Sequence, residues 1–168
     1  MMGIWTWQIY RGKRFNHRLL QTAKARRGRR AAALVTLQRE ELNYMKKEFY
    51  VIPEEIFRLG NSNSPRLSNV RPRDINITEI NGITIVIANG KGISVFDKEG
   101  INESPMSGWV WRFYPNTPFP LGLKLVQDKA HHYCIAPISN MPLSKYKGLL
   151  EEMAINAERV YKKEGKAI

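Results

Sequence analysis

Cysteine is almost missing from this sequence of 168 residues, which contains Cys134 and no other. One cysteine cannot form an internal disulfide, and no set of cysteines and histidines has the spacing of zinc ligands. These absences exclude a disulfide-stapled secreted domain and indicate a protein that works in a reducing compartment. We therefore expect action in the cytoplasm, of the producing cell or of a target cell, and no bound metal.

Long hydrophobic runs are also missing. The longest candidates, residues 31–37 and 83–88, fall far short of the roughly 18 apolar residues that a membrane-spanning helix needs. A chain of this length can bury a core without metal or disulfide support. We expect a soluble protein with no membrane partner.

Acidic residues are absent from the start of the chain, where the first ones are Glu40 and Glu41. Residues 1–44 contain ten Lys or Arg against these two acids, which gives +8 of the total charge of +12. Residues 45–168 contain seventeen Lys or Arg against thirteen acids, which gives +4. The chain therefore divides into a basic N-terminal extension, residues 1–44, and a domain of ordinary charge balance, residues 45–168.

Several interpretations of residues 1–44 stay open. An Arg-rich composition without acids is typical of a mitochondrial presequence. A basic arm could also bind the phosphates of a nucleic acid, with Trp5 and Trp7 stacking on bases. Alternatively, residues 18–42 form a solvated extension that is partly helical or disordered, or translation starts at Met45 and the segment is not part of the protein.

The domain has clear strand signals. Isoleucines alternate with polar residues on both sides of Asn81-Gly82, a dipeptide that favours the type I′ turn of a β-hairpin. A second turn at residues 89–92 leads into a strand at residues 93–96, which residues 97–100 close, and we expect these three strands to form an antiparallel meander. Further strands are predicted at residues 109–114, 123–127 and 132–136.

Two other segments complete the prediction. Residues 61–72 are rich in Asn, Ser, Pro and Arg and predict a loop. From Tyr146 to Tyr161 the apolar residues recur at helical spacing, which predicts a C-terminal amphipathic helix. The domain is therefore expected to be α+β, with small antiparallel sheets covered by that helix.

Several familiar catalytic motifs are absent. Residues 90–92 lack the length and the ending of a Walker loop, and neither a G-x-G-x-x-G nor a G-x-S-x-G pattern occurs. No pair of carboxylates stands out either.

The remaining motifs resemble, in their order, those of the toxin-type ADP-ribosyltransferases typified by a type VI secretion effector, the Tse-two-like toxins. The resemblance covers about residues 49–163 and is carried by Phe57-Arg58, Pro72-Arg73-Asp74-Ile75, the run from Gly92 to Asp97, the run from Leu123 to Asp128, and the run from His132 to Pro137 with Met141-Pro142 after it.

The resemblance implies a fold in which two small antiparallel sheets form a cleft for NAD, the co-substrate. It implies catalytic roles for His132, Gln127 and Ser94 near the glycosidic bond that is cleaved. It also implies that Arg58, Ser94 and Tyr133 contact the cofactor, at the pyrophosphate, the ribose and the nicotinamide ring respectively. Such a toxin would be delivered by a dedicated secretion system and neutralised by a cognate immunity protein, and its macromolecular acceptor is not identified by the sequence.

Alternatives stay open for each residue. Arg58 could pair with a surface acid such as Glu54 or Glu55, Ser94 could be an exposed strand residue, and His132 or Tyr133 could be structural. Residue 93, where the family often has Thr, is Ile, and no glutamate near Gln127 or His132 corresponds to the usual catalytic one. The enzyme, a transferase or an NAD-glycohydrolase, therefore competes with a non-catalytic binding module and with an RNA 2′-phosphotransferase-like relative that uses residues 1–44.

Overall fold

The computed structural model describes residues 28–32 and 46–166. It divides the chain into two units, Met1–Met45 and Lys46–Ile168. In the first unit, residues 28–32 are helical with exposed side chains, and the other expectations for residues 1–44 lie outside the described residues. No helix within the described ranges is long and apolar enough to cross a membrane.

Within residues 46–166, the second unit has ten strands and two helices. In chain order they are β1 (Lys47–Phe49), β2 (Ile56–Gly60), β3 (Ile77–Ile80), β4 (Ile83–Val86), β5 (Ile93–Phe96), α1 (Lys98–Glu103), β6 (Gly108–Phe113), β7 (Leu123–Lys129), β8 (His132–Pro137), β9 (Met141–Pro142), α2 (Leu143–Ala154) and β10 (Glu158–Lys163). All strand pairs are antiparallel. The order of the large sheet is β1-β7-β8-β5-β2-β6-β10, and that of the small sheet is β3-β4-β9. The α+β class with antiparallel sheets is confirmed.

The predicted hairpin is present, with β3 paired to β4. Asn81 and Gly82 have φ angles of 51° and 75°, and positive φ at both central residues is the requirement of a type I′ turn. Strands are also found at the other segments predicted for the second half of the domain, as β5, β6, β7 and β8.

The predicted three-stranded meander is wrong. β5 does not join the β3–β4 hairpin but lies inside the large sheet, between β8 and β2, whereas β4 pairs with β9. Residues 97–100 are not a simple closing turn, because the Asp97 side chain accepts a hydrogen bond of 2.8 Å from the Gly100 N–H and caps α1. The strands were recognisable locally, but their partners depend on long-range packing.

The predicted C-terminal helix is present in its first part and wrong in its second. α2 ends at Ala154, and the chain then forms β10 along the edge of the large sheet, paired with β6. Tyr146, Leu150 and Met153 are fully buried on one face of α2. Val160 and Tyr161, which continued the apolar spacing, are instead exposed strand residues, because a short apolar run fits either period.

The main core lies between one face of the large sheet and the elements that cover it, including α2 and Val86 of the small sheet. A second, smaller core on the opposite face contains Phe57, Val110 and Ile101 of α1. The large sheet therefore has two distinct faces, which we call the main-core face and the α1 face.

Candidate functional site

The register of the large sheet decides which of the predicted site residues share a face. Phe57 of β2 pairs with Phe96 of β5, and both contribute to the small core of the α1 face. Side chains alternate between the two faces along a strand. Arg58, next to Phe57, therefore lies on the main-core face, whereas Ser94, two residues before Phe96, lies on the α1 face.

Arg58 is partly buried and has incomplete hydrogen bonding. Its Nη1 donates to the Ser94 carbonyl at 2.7 Å, while its Nε is shielded from solvent and has no hydrogen-bond partner among the described residues. Burial is the first cause that lowers the pKa of Arg58, and the charges of Arg71 and Arg66 lower it further. The charge of Asp74 opposes these effects and raises the pKa of Arg58, and because arginine keeps its proton in proteins, Arg58 is a shielded cation.

The neighbouring carboxylate is Asp74, which is 8% exposed. Its Oδ2 accepts from the backbone N–H of Arg71 at 3.0 Å and from Arg71 Nε at 2.9 Å, and its Oδ1 accepts from Arg71 Nη2 at 3.0 Å. Burial alone would raise the pKa of Asp74, but the hydrogen bonds and the charge of Arg71 outweigh burial and lower it. Asp74 accepts these hydrogen bonds from Arg71, and its charge also acts on Arg58. We call Arg58, Arg66, Arg71 and Asp74 the arginine cluster, which has a net charge of +2.

Tyr133 and Gln127 lie on the main-core face, on the same side of the sheet as Arg58. Tyr133 belongs to the main core and is 3% exposed, and Gln127 pairs with it across β7 and β8. The Tyr133 hydroxyl donates to the Glu54 carboxylate, and burial, then that hydrogen bond, raises the pKa of Tyr133. From Arg58 to Tyr133 the distance is two strand spacings, about 10 Å.

The suggested pairing of Arg58 with Glu54 or Glu55 is wrong. Glu54 accepts from Tyr133, and Glu55 contacts Arg112 at 3.4 Å. Neither carboxylate forms a hydrogen bond or an ion pair with Arg58 among the described residues. Arg58 therefore keeps a free donor rather than being consumed in a surface ion pair.

Ser94 and His132 lie on the α1 face, together with two residues that the sequence analysis did not single out as site residues. Ser94 pairs with Cys134 and Phe96 pairs with His132. His132 Nδ1 is hydrogen-bonded to Asp128, and the ring meets Phe96 edge-on at 5.2 Å between centroids. One potential ligand atom from each of Asp128, His132 and Cys134 lies within 4.8 Å of the others.

Cys134 is 8% exposed and lies at the inner end of this group. Burial, followed by the Asp128 charge, raises the pKa of the Cys134 thiol to about 11, against the opposing effects of the Gly92 N–H and of Lys46. The thiol is therefore not a reactive thiolate in the free protein.

The structure thus brings the predicted site residues together in two groups rather than one. Arg58, Tyr133 and Gln127 share the main-core face, and Ser94 and His132 share the α1 face. Asp74 and Asp128 belong to two of the sequence motifs that carry the resemblance, but the sequence does not show their contacts. Asp128 lies at a register shift between β7 and β8, and its contact with His132 depends on a strand pairing that the sequence does not show.

Comparison with known proteins gives one family match, to the Tse2 ADP-ribosyltransferase toxin, over residues 16–161. The chain belongs to that family. The match begins inside the basic segment, at residue 16, and ends inside β10. No curated protein and no solved structure matches the chain.

Membership of this toxin family gives the main-core face a chemical context. Arg58 offers a forked cationic donor of the kind that suits phosphate oxygens, and its Nε is shielded from solvent and has no partner among the described residues. Glu54 adds a carboxylate to the face that carries Tyr133 and Gln127. Arg58, Glu54, Tyr133 and Gln127 therefore lie on the same side of the large sheet.

Proposed function

We propose that this chain is a toxin that uses NAD as co-substrate, binding the pyrophosphate of NAD at Arg58 and cleaving the bond between nicotinamide and ribose. The observation that carries the proposal is the arginine cluster, whose net positive charge surrounds a shielded guanidinium with an unused donor. NAD brings two negative charges on its pyrophosphate, which would offset the excess charge of the cluster.

Tyr133, Gln127 and Glu54 are proposed to face the nicotinamide end of the bound NAD. Positive charge develops on the ribose as nicotinamide departs, and a fixed carboxylate stabilises such charge. Glu54, held by the Tyr133 hydroxyl, supplies this carboxylate in the proposal, and Gln127 holds a ribose hydroxyl. This assignment accounts for the missing glutamate near Gln127 and His132 in the sequence.

Ser94 and His132 have catalytic roles only by the resemblance, and because they lie on the α1 face, away from Arg58, we expect a smaller contribution to turnover from them than from Gln127 and Tyr133. Ile93, by alternation, lies on the same face as Arg58 and belongs to the main core. The hydroxyl that the family often has at position 93 is therefore replaced by an apolar side chain on the Arg58 face.

The test is NAD turnover by the purified full chain, measured as nicotinamide release, alone and with cell extract. Arg58→Ala is expected to lower kcat/KM by about 100-fold, because a charge-assisted hydrogen bond to phosphate contributes roughly 2 to 3 kcal/mol. The matched control is Arg73→Ala, which removes the same charge from an exposed position between Arg71 and Asp74. Its kcat/KM should stay within about twofold of wild type. Equal turnover by the two variants would remove Arg58 from the site.

A second set of variants separates the two faces of the sheet. Gln127→Ala and Tyr133→Phe are expected to reduce turnover, whereas Ser94→Ala and His132→Ala are expected to leave most of it. The reverse pattern would place the reaction on the α1 face. No turnover and no NAD binding by folded wild-type protein would instead favour a binding module, including nucleic-acid binding through residues 1–44.

Action inside a target cell, delivery by a type VI or other dedicated system, and a cognate immunity protein are further parts of the proposal. Induced expression of the chain without any neighbouring gene should arrest growth, and Arg58→Ala should relieve the arrest at equal protein level. We also propose that residues 45–168 carry the activity. Removal of residues 1–44 should leave NAD turnover unchanged, which the same assay measures.

A further inference from the structure

The α1 face holds a group of three side chains whose chemistry is unlike that of the arginine cluster. Asp128, His132 and Cys134 each provide one of the ligand atoms that transition metals prefer, a carboxylate oxygen, an imidazole nitrogen and a thiol sulfur. These atoms all lie within 4.8 Å of one another. The expectation from the sequence was that the protein has no metal site, because a single cysteine and scattered histidines show no ligand spacing.

The backbone explains why these three side chains lie close together, although their spacing in the sequence does not indicate a metal site. His132 and Cys134 are two residues apart on β8 and therefore point to the same face. β8 is an inner strand, paired with β7 on one side and with β5 on the other, so the two side chains stand on a rigid support. Asp128 follows Gln127, which lies on the main-core face, so it points to the α1 face from β7 and reaches His132.

We infer that Asp128, His132 and Cys134 form a binding site for a divalent transition-metal ion of the Zn²⁺ type. Three protein ligands with one coordination position left open is an arrangement that zinc adopts in proteins. The side chains of His132 and Asp128 are 23% and 24% exposed, so the open position can be reached by water. Cys134 lies deeper, with 8% exposure, and closes the inner side.

The charges near the site are compatible with a divalent ion. A carboxylate and a thiolate together neutralise the two positive charges of Zn²⁺, and the imidazole adds none. Lys46 is close enough to influence the Cys134 thiol, and Lys129 pairs with His132 across the strands. Both ammonium groups would repel a bare cation, but they face a neutral assembly once the three ligands are bound to the ion.

Binding requires one local change. Tetrahedral zinc places its ligand atoms about 3.3 to 3.6 Å apart, and the hydrogen-bonded atoms of Asp128 and His132 are closer together than that. A side-chain rotation of Asp128 separates them, while the ring of His132 stays packed edge-on against Phe96. The hydrogen bond of the free protein thus holds the imidazole near its metal-binding orientation.

The test uses the purified full chain after removal of metal by a chelator. Titration with Zn²⁺ against a chromophoric competitor should give one ion per chain, and thermal unfolding should shift upward when Zn²⁺ is added, because a ligand that binds the native state stabilises it. Cys134→Ala and Asp128→Asn should each weaken binding by about 100-fold or more. His131→Ala is the matched control, because His131 lies beside the site but contacts Asp97 at 2.7 Å and Glu99 at 3.1 Å instead, and its zinc affinity should stay within about twofold of wild type.

Co²⁺ gives a readout that does not depend on variants. Because Cys134 is the only cysteine in the sequence, a thiolate-to-cobalt absorption band in the wild-type protein assigns the ion to this site. Absence of that band, absence of stoichiometric Zn²⁺ binding, or unchanged Zn²⁺ affinity in folded Cys134→Ala would each overturn the inference. The result is independent of NAD turnover, since the arginine cluster lies on the other face of the sheet.

Discussion

Replacing Asp74 by Asn tests how the arginine cluster is held in place. The carboxylate of Asp74 is nearly inaccessible and accepts three hydrogen bonds from Arg71, at 2.9 to 3.0 Å. Asn keeps the size of the side chain but removes the charge that compensates Arg58, Arg66 and Arg71. A hydrogen bond to a charged group contributes roughly 1.5 to 3 kcal/mol to the free energy of unfolding when it is shielded from solvent. An exposed ion pair contributes at most about 1 kcal/mol.

The two partners differ in exposure, which sets the expected magnitude. The side chain of Asp74 is 6% exposed and that of Arg71 is 40% exposed, so solvent screens the pair in part. We expect Asp74→Asn to lower the free energy of unfolding by about 2 kcal/mol and the melting temperature by roughly 6 to 12 °C. In a double-mutant cycle with Arg71→Ala, most of this loss should appear as coupling between the two residues.

The loss should depend on pH with a definite sign. The pKa of Asp74 is lowered in the folded protein, so its stabilising effect is present above the unfolded pKa of about 4 and is lost as pH falls through the folded value. Denaturant unfolding should therefore show a constant difference in the free energy of unfolding between wild type and Asp74→Asn from pH 7 down to about pH 4. Below that pH the difference should shrink. A loss under about 0.5 kcal/mol at pH 7, or a difference that does not shrink in acid, would refute the reasoning.

Three further predictions concern single substitutions in the domain, and thermal or denaturant unfolding measures the change in stability that each one causes. A Cβ at Gly92 would lie 1.9 Å from the carbonyl oxygen of Ile135, so Gly92→Ala should destabilise the domain by several kcal/mol, about 3 or more, and a melting temperature near wild type would contradict the described contact. Gly148 in α2 is exposed with nothing within 4 Å of an added Cβ, so Gly148→Ala should stabilise by about 0.5 to 1 kcal/mol. Tyr146→Phe removes a buried hydrogen bond of 2.6 Å to the same carbonyl of Ile135 and should cost about 1 to 1.5 kcal/mol, whereas no loss would mean that the hydroxyl is not engaged.

Local signals predicted most of the strands. The Asn81-Gly82 turn and the alternation around it depend on residues that are adjacent in the chain, and the structure has the hairpin where the pattern put it. The placement of β5 was wrong because pairing is decided by partners far away in the sequence, β2 and β8. The predicted end of the C-terminal helix was wrong because Val160 and Tyr161 fit a helical period as well as an edge strand.

The candidate site was less predictable than the fold, for a reason that concerns the faces of the sheet. Residue types and motif order predicted five site residues, which are Arg58, Ser94, Gln127, His132 and Tyr133. Whether two of them share a face depends on the register, and one residue of offset reverses the answer. The sequence does not show the pairing of Phe57 with Phe96 or that of Phe96 with His132, and these pairings assign Arg58 and His132 to opposite faces.

The strand order of the large sheet also determines when this domain can fold during its synthesis. β1 pairs with β7, and β2 pairs with β5 and β6, so the strands that leave the ribosome first wait for partners that are made later. A hairpin such as β3–β4 forms from two strands that are adjacent in the chain. The large sheet, by contrast, cannot be completed until β7 and β8 have left the ribosome. A nascent chain that stops before residue 125 therefore lacks the β7 residues that pair with β1, and the large sheet forms only after the C-terminal part of the domain has been translated.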